Sequence, residues 1–590
     1  GMAKLAAALR IGGPSGWVIG GLAYALSPFF VGLLGFTSAA VLPAAVMPWT
    51  VLPLVRASQG GSVRRAAGLS GLAILCMGGI NATSAITVLV VPAIYIVTRA
   101  PGRRRRALML WWPIAVLLAS FWWLAALFFQ ARYGLDVTAF TETAGVTEST
   151  TAAAEVMRGT GNWLGYLNLG DPWVRASWAL VAEPVAIIGT AVVAATGLLG
   201  LSARGMHERW FAVGTFAFGV VAIGIGYTGA AGGFFGPQFI DLLGGPLAPF
   251  RNIYKFEPLV AASLALGVAH AVPAASVWVS RRGVVRRKAT APRPTGPGPW
   301  RVVAWAVPAV VMVGIVASAL PFLRNEGNTD GAFKATPAYW SQASTWLGQN
   351  APDDTTLLLP ASAFAEYTWG RPLDEPMQAL QESPWIARTL QPLGGAGSTR
   401  ILDAIETRIV SQRDSPGLRD LLRRSGVRYL LVRNDLDWRR TGSPRPYKVR
   451  QALLKARIPR VKGFGPPLSA LGVSSALMAD LGVSRDESTM QAVEIYDTSE
   501  VAAVSQSGIA GYDDDAVRGL DTIEAGETRE PIGAVSTFAV DGEQIISGGP
   551  ESTVQAADWG LTRTRANILA ADLPAADGAV APKLATTATP

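Results

Sequence analysis

The side chains that carry the chemistry of many enzymes are scarce in this chain of 590 residues, which has one cysteine, Cys76, and two histidines. A single cysteine excludes a disulfide within the chain, and its apolar surroundings predict a small buried side chain. Walker A, paired Cys-x-x-Cys and zinc-ligand patterns are absent from the sequence, so no motif indicates a P-loop or zinc protein. No Asp or Glu precedes Asp136. Acid–base chemistry by this chain must therefore use residues from that position onward.

Charged residues are also few: they make up 16% of the chain, against 50% hydrophobic residues and a mean hydropathy of +0.31. This composition is too apolar for an ordinary soluble protein of this length. The net charge is +15 up to residue 323 and −6 after it. We therefore predict a membrane domain at 1–323, an α/β domain at 324–500 and a further segment at 501–590 that ends in a linker.

Long apolar runs predict a polytopic α-helical membrane domain, because about 20 apolar residues cross a bilayer core. The stretch 66–98 is too long for one span, and GGINAT at 78–83 divides it into two short spans or a re-entrant hairpin. Counting it as two spans gives nine crossings. The other runs are 17–35, 38–55, 107–129, 177–201, 210–226, 257–279 and 302–322.

Short loops rich in arginine set the predicted orientation, since such loops stay in the cytoplasm. They are 56–65, 99–106, 202–209 and 281–301. Alternating crossings place all four on one side, so the loops 130–176 and 227–256 and everything beyond 323 lie outside, on the periplasmic side of a multi-pass protein of the cell membrane. The basic runs anchor the topology, and no nucleic-acid partner is predicted. Both histidines fall at the inner side, which excludes an external Ser-His-Asp hydrolase.

The first outer loop, 130–176, combines carboxylates with aromatic rings, as a sugar site requires. Carboxylates accept hydrogen bonds from hydroxyl groups or act as a general base, and aromatic faces cover the apolar side of a sugar ring. An exposed loop with aromatics at the membrane interface explains the same composition. The candidate residues are Glu142, Asp171, Trp163, Tyr166 and Trp173.

The second outer loop ends in APFRNIYKFEP, residues 248–258. A helical turn would put Arg251 and Lys255 on one face, where two cations suit a lipid phosphate. Asn252 adds a hydrogen bond, and Glu257 orients Lys255 or contacts a sugar. Alternatively, the two cations have only a structural role and extend toward the lipid headgroups.

The soluble part alternates helix and strand signals, with helices expected near 336–350 and 418–425 and strands at 355–360 and 493–497. Four of its residues combine aromatic and acidic character, which suits either glycan contacts or a structural role. They are Trp369, Asp374, Glu375 and Trp385.

Several stretches, in this order along most of the chain, resemble the actinobacterial arabinofuranosyltransferase D family. They are GGINA at 78–82, RGTGNWLGYL at 158–167, PFRNIYKFEPL at 249–259, EYTWGRPLDEPMQAL with SPW at 366–385, GVRYLLVRNDLD at 426–437 and SGGPEST at 547–553.

The resemblance implies a membrane glycosyltransferase of the GT-C class that uses decaprenylphosphoryl arabinofuranose on the outer face. The acceptor would be the arabinan of arabinogalactan or lipoarabinomannan, and the partners would be this polyprenyl-phosphate donor, the cell-wall polysaccharide and membrane lipid. No cofactor is evident, and a divalent metal is left open. Arg251 and Lys255, with Asn252 and Glu257, would hold the donor phosphate.

One departure from the family's pattern concerns the catalytic carboxylate, which in GT-C enzymes usually follows the first span. The first outer turn here, near 36–38, has no acid. We expect the true base to lie upstream in a longer protein, with Asp171 and Glu142 as the candidates within this chain. A non-catalytic scaffold that binds cell-wall glycan is the alternative function. A transporter is less favoured, because its spans would carry more buried charge than Glu183.

Overall fold

The structure is a computed structural model, and its described part falls into two compact units, formed by residues 1–129 with 143–329 and by 130–142 with 330–590. The described residues are 1–133, 141–168, 172–229, 232, 235–285, 299–327, 331–390, 396–411, 416–471, 485–499, 537–540 and 543–546.

The first unit is helical. Its helices are α1 (Met2–Ala8), α2 (Pro14–Ala25), α3 (Pro28–Leu33), α4 (Ser38–Gln59), α5 (Val63–Met77), α6 (Ala82–Val88), α7 (Val90–Val97), α8 (Arg103–Tyr133), α9 (Ala144–Glu148), α10 (Ala153–Arg158), α11 (Arg175–Ala182), α12 (Pro184–Ser202), α13 (Arg209–Gly224), α14 (Gly236–Gly244), α15 (Glu257–Val285) and α16 (Pro299–Leu323).

Six helical segments in the described part of the chain are long and apolar enough to cross a membrane. They are Pro14–Leu33, Ser38–Gln59, Arg103–Tyr133, Pro184–Ser202, Ile253–Ala274 and Ala306–Leu323. Two shorter apolar segments, Ala82–Val97 and Arg209–Gly224, accompany them. A helical membrane domain is thus confirmed, whereas the count of nine crossings stays a prediction.

Small residues bring α15 into close contact with its neighbours. Gly200 of α12 and Gly267 of α15 approach so closely that a Cβ on either would overlap the backbone of the other helix. A Cβ on Gly16 of α2 would likewise overlap the carbonyl oxygen of Ala269. Packing of small residues drives helix association in lipid, where apolar side chains gain nothing by leaving the bilayer. These contacts fix α15, whose first residue is Glu257.

A tyrosine compensates for a proline inside α4. Pro48 has no backbone N–H, so the carbonyl of Ala44, four residues earlier, loses its helical partner. The hydroxyl of Tyr24 donates to that carbonyl oxygen at 2.7 Å. Backbone groups within a bilayer must be satisfied inside the protein, and this bond ties α2 to α4.

The prediction that Cys76 is buried is wrong, since the structure exposes it on α5. The apolar run around it was correctly recognised, but an apolar helix in a membrane turns part of its surface toward lipid. Hydrophobicity therefore does not separate the lipid-facing side of such a helix from its packed side.

The second unit contains a mixed five-stranded sheet in the order β4-β1-β5-β7-β6. Strands β4, β1 and β5 are parallel, while β7 and β6 pair antiparallel. The strands of this unit are β1 (Thr355–Leu359), β2 (Ala365–Tyr367), β3 (Gly370–Leu373), β4 (Trp385–Ala387), β5 (Val427–Arg433), β6 (Arg460–Pro467), β7 (Gln491–Asp497), β8 (Thr537–Val540) and β9 (Glu543–Ile546).

Helices alternate with these strands along the chain, and several of them supply the apolar core of the sheet. They are α17 (Ala338–Asn350), α18 (Met377–Leu380), α19 (Ala396–Ser411), α20 (Pro416–Arg424), α21 (Trp438–Thr441), α22 (Pro446–Lys455) and α23 (Arg485–Ser488). The helices and strands expected at 336–350, 418–425, 355–360 and 493–497 coincide with α17, α20, β1 and β7. The boundaries at 323 and 500 and the extracytoplasmic placement stay predictions, and the predicted terminal linker lies outside the described residues.

Candidate functional site

The second of the loops predicted to lie outside, 227–256, ends in two 3₁₀ turns that lead directly into α15. The turns are Ala248–Phe250 and Ile253–Phe256. Asn252, between them, has φ −75° and ψ 67°, which lies outside the helical region. The expected helical turn across this segment is therefore wrong, because the backbone leaves the helical path midway.

The two cations of this segment differ in their surroundings. Arg251 is 5% exposed, whereas Lys255 is half-buried. A cation that reaches toward lipid headgroups keeps its charged end at the surface, so the burial of Arg251 disfavours that interpretation. The carbonyl of Lys255 accepts a hydrogen bond from Thr87 at 3.0 Å, which fixes the second turn against α6.

A hydrogen bond joins the two outer loops. Trp163 donates from Nε1 to Oδ1 of Asn252 at 3.0 Å. The ring of Trp163 is buried in a cluster with Phe29, Leu33 and Tyr254. It therefore positions Asn252 in this structure rather than presenting an open face to a sugar ring.

Glu257 is the first residue of α15 and is only 1% exposed. Its carboxylate accepts a hydrogen bond from the backbone of Gly161 in the first outer loop. Its Oε1 atom has no hydrogen-bond partner among the residues that the structure describes. The carbonyl of Gly161 accepts from the hydroxyl of Thr150 at 2.8 Å, which holds the loop in place.

The Glu257 side chain lines a cavity between the membrane helices. Its polar lining consists of Ser27, Arg158, Thr190, Glu257 and Ser318. The apolar lining continues along α15 to Ala265, about 12 Å below Glu257 at 1.5 Å per residue. The cavity is narrow, with a volume of about 30 Å³. A sugar can thus reach Glu257 only if the surrounding loops separate.

Arg158 braces the first outer loop against two helices. Its Nε donates to Oγ1 of Thr190 at 2.9 Å, and its Nη2 donates to the carbonyl oxygen of Leu180 at 2.8 Å. Its Nη1 donates to both oxygens of Glu155 at 3.0 and 3.1 Å. Four of the five N–H groups of the guanidinium are thus used. Arg158 holds the loop and has little capacity left for a ligand.

Glu155 gathers further donors of the same loop. It accepts from Thr160 Oγ1 at 2.6 Å and from the hydroxyl of Tyr166 at 3.1 Å. Burial, together with the charge of Glu155, raises the pKa of Tyr166 above its usual value. Tyr166 is 38% exposed, and it is the predicted glycan residue of this loop that keeps an accessible ring.

Glu148, at the end of α9, is fully buried. It accepts from Thr151 Oγ1 at 3.2 Å, while its Oε1 has no partner among the described residues. Burial raises its pKa to about 8, so this carboxyl is protonated at neutral pH. The absence of a side chain at Gly226 makes room for it.

The remaining predicted residues of the outer loop lie elsewhere. Trp173 packs edge-on against Phe36, with ring centroids 6.5 Å apart. Glu142 belongs to the second compact unit. Asp171 lies outside the described residues. The roles proposed for these three residues stay predictions.

In the second unit, two of the predicted glycan residues take part in buried networks. Trp369 donates to Oδ2 of Asp435 at 2.9 Å, a carboxyl whose pKa burial raises to about 6. Glu375 is buried and pairs with Arg433. These contacts favour the structural alternative for both residues.

The other two residues of that set are less enclosed. Trp385 is partly buried in strand β4, and Asp374 is exposed. Their assignment to glycan contacts stays a prediction.

A family model described as alpha-(1->3)-arabinofuranosyltransferase, N-terminal GT-C domain, matches residues 1–590. The chain belongs to this family. The resemblance found in the sequence motifs is thereby confirmed.

Two curated members of the arabinofuranosyltransferase family are similar over most of the chain. One, from Mycolicibacterium smegmatis, is 34% identical over 503 residues, covering 84% of this chain and 34% of the relative. The other, from Mycobacterium tuberculosis, is 32% identical over 486 residues, covering 79% and 33%. Both are named alpha-(1->3)-arabinofuranosyltransferase. The chain spans about a third of the length of these relatives.

A solved member of the arabinofuranosyltransferase family has a similar fold. It is a single-particle cryo-EM structure of arabinofuranosyltransferase AftD from mycobacteria, which matches with a TM-score of 0.63 and 29% identity. The match covers 89% of this chain and 35% of that chain.

In this arabinofuranosyltransferase-family chain, the structure adds site residues that the sequence did not single out. Arg158, Gly161 and Thr190 owe their roles to contacts between segments that are far apart in sequence. A partial signal was available, because Glu155 and Arg158 are three residues apart and form a helical ion pair. Among the described residues, no group of three or more His, Cys, Asp or Glu could hold a metal ion.

Proposed function

We propose that this chain takes part in the transfer of arabinofuranose from decaprenylphosphoryl arabinofuranose to the arabinan of arabinogalactan or lipoarabinomannan, on the outer face of the membrane. Membership of the arabinofuranosyltransferase family supports the reaction type. The chain spans about a third of its curated relatives, so the activity of those relatives is a proposal for this chain.

The observation that carries the proposal is the meeting of the two outer loops at a cavity between apolar helices. Trp163 of the first loop bonds to Asn252 of the second, and Gly161 bonds to Glu257. A polar end and an apolar continuation suit a donor that combines a sugar phosphate with a hydrocarbon tail.

Arg251 and Lys255, in the segment that leads into Glu257, are proposed to supply positive charge to the donor phosphate. In the proposed reaction an acceptor hydroxyl attacks the anomeric carbon, and polyprenyl phosphate leaves. Positive groups placed where the leaving phosphate gains charge stabilise the transition state. Their contribution is largest in a site from which water is excluded.

The proposal is tested by incubating the chain, reconstituted in lipid nanodiscs, with radiolabelled donor and a short arabinan acceptor. We expect labelled product, and a weaker donor affinity in the double variant Arg251→Ala with Lys255→Ala. The matched control is Arg103→Ala with Arg106→Ala, two exposed arginines of the predicted inner loop. Unchanged donor affinity in the first variant would remove the phosphate assignment. Glycan binding without any transfer would favour the non-catalytic scaffold.

The predicted orientation has its own test. In a Cys76→Ser background, a cysteine at exposed position Asp241 should react with a membrane-impermeant maleimide added to intact cells. A cysteine at the exposed position Arg104 should not. The opposite labelling pattern would invert the topology and place the site in the cytoplasm.

A further inference from the structure

We propose that Glu257 is the catalytic base of the transfer and takes the proton of the acceptor hydroxyl at Oε1. This inference rests on the proposed function and deepens it. It replaces the expectation that the base lies outside the chain or at Asp171 or Glu142.

Each of the other described carboxylates of the first unit is committed elsewhere or lies away from the cavity. Among all of them, only Glu257 lines it. Glu155 is held by Arg158, Glu208 by Arg99, and Glu183 by Arg324. The others are Glu148, which packs against Gly226, Asp241, which is exposed on α14, and Glu326, which lies near Arg324.

The position of the Glu257 carboxylate suits a general base. The backbone of Gly161 donates to the carboxylate from one side, which fixes its orientation. Oε1 keeps its lone pairs available, since no described residue donates to it. A base must reach the proton that it removes within hydrogen-bond distance in the bound complex, and a side chain on the cavity wall can do so.

The neighbouring cation does not cancel this basicity. Arg158 lines the same cavity, but its charge is matched by Glu155 through two hydrogen bonds. Burial also keeps bulk water from Glu257, which strengthens its interaction with an incoming hydroxyl. The cavity lining thus contains an arginine that is ion-paired with Glu155 and a glutamate, Glu257, whose Oε1 has no hydrogen-bond partner among the described residues.

Glu257 is the proton acceptor in the proposed chemical step. The hydroxyl oxygen of the glycan forms a bond to the anomeric carbon of the arabinofuranose, while the bond from that carbon to the phosphate oxygen breaks. The electron pair of the broken bond leaves with polyprenyl phosphate. The hydroxyl proton passes to Oε1 of Glu257 and is released to water when the product departs.

The test compares Glu257→Gln with the wild-type chain in single-turnover transfer of labelled arabinofuranose in nanodiscs. Gln has the same shape and can still accept from Gly161, so the fold and the donor affinity should be preserved. We expect the transfer rate to fall by about 10²–10⁴-fold, the range for loss of a general base. Glu183→Gln, the matched control at an ion-paired carboxylate, should keep the wild-type rate.

Two further measurements separate a catalytic role from a structural one. The rate in Glu257→Gln should lose the dependence on pH that the wild type shows on its acidic side. Formate should restore part of the rate in Glu257→Ala, because a small carboxylate fits the space that the side chain leaves. A wild-type rate in Glu257→Gln, or no rescue by formate in a folded Glu257→Ala protein that binds donor, would overturn the assignment. If the wild type transfers no sugar, the proposed function fails and this inference fails with it.

Discussion

Replacing Arg158 by Met should release the first outer loop from the membrane helices. Met has a similar length and fills much of the same space, so the change removes the hydrogen bonds more than the packing. The wild-type guanidinium joins Glu155 of α10 to Thr190 of α12 and to the carbonyl of Leu180 in α11. No other side chain has a planar guanidinium group that can donate hydrogen bonds to three partners at once.

The magnitude follows from these bonds. Hydrogen bonds between charged groups contribute about 1.5–3 kcal/mol each and neutral ones about 1 kcal/mol. Glu155 is a quarter exposed, so water compensates part of the loss in the variant. We therefore expect the free energy of loop opening to fall by about 3 kcal/mol, which corresponds to a roughly 100-fold change in the opening equilibrium.

Hydrogen exchange of the backbone amides in nanodiscs measures this equilibrium directly. The amides of Thr160, Gly165 and Tyr166, which are bonded within the loop, should exchange roughly 100-fold faster in Arg158→Met. Arg158→Lys should be intermediate, because it keeps the charge but loses the fork. Arg204→Met, at an exposed arginine, should leave these amides unchanged. If these amides were equally protected from exchange in Arg158→Met, Arg158 would not be what holds the loop against the helices.

Three further outcomes follow from single contacts. Trp163→Phe and Asn252→Leu should show a coupling of about 1 kcal/mol in a double-mutant cycle of thermal stability, and additive effects would contradict their hydrogen bond. Gly226→Ala would place a methyl group 2.6 Å from Oε1 of Glu148 and should destabilise the fold by about 1–3 kcal/mol. Gly161→Ala, 3.6 Å from the nearest atom, should be tolerated in the same melting assay. Because burial raises the pKa of Glu148 from 4.5 to about 8, folding favours its neutral form, so stability should fall as the pH rises through this interval. Glu148→Gln should flatten that dependence in melting curves recorded from pH 4 to 9.

The sequence predicted the membrane helices well because their signal is local. A run of about 20 apolar residues must form a helix in lipid whatever surrounds it. The strand at 355–360 and the helix at 336–350 could be predicted equally well, since each has its own periodicity and boundary residues. The motif stretches also located both outer loops that meet at the cavity.

The site itself was only partly predictable, because its contacts join distant segments. Arg251 and Lys255 have helical spacing, yet the backbone at Asn252 breaks the helix between them. Nothing in the spacing showed that Arg158 would bond to Leu180 and Thr190. The burial of the acidic residues could not be predicted either, because the sequence does not show which of them will pair with a cation and which will line a cavity.

The position of Glu257 raises the question of whether helix stability alone explains it. A carboxylate in the first turn of a helix gains about 0.3–1 kcal/mol from the helix dipole. A buried acid without a charged partner either loses several kcal/mol through its charge or takes up a proton, so the dipole does not by itself account for an acid that is 1% exposed. Of the other acids that the structure describes in this unit, Glu183 lies beside Arg324, and Glu148 is buried in its neutral form away from the cavity.

This imbalance gives a prediction that separates stability from function. At a pH where Glu257 is ionised, Glu257→Gln removes the buried charge and keeps an acceptor for Gly161, so its apparent melting temperature in nanodiscs should rise while transfer is lost. Residues selected for chemistry often lower the stability of a protein in this way. Glu155→Gln breaks an ion pair and should lower the melting temperature. A lower melting temperature in Glu257→Gln would show instead that the carboxylate stabilises the fold, because removing a charge lowers the stability only if that charge makes favourable interactions in the folded state.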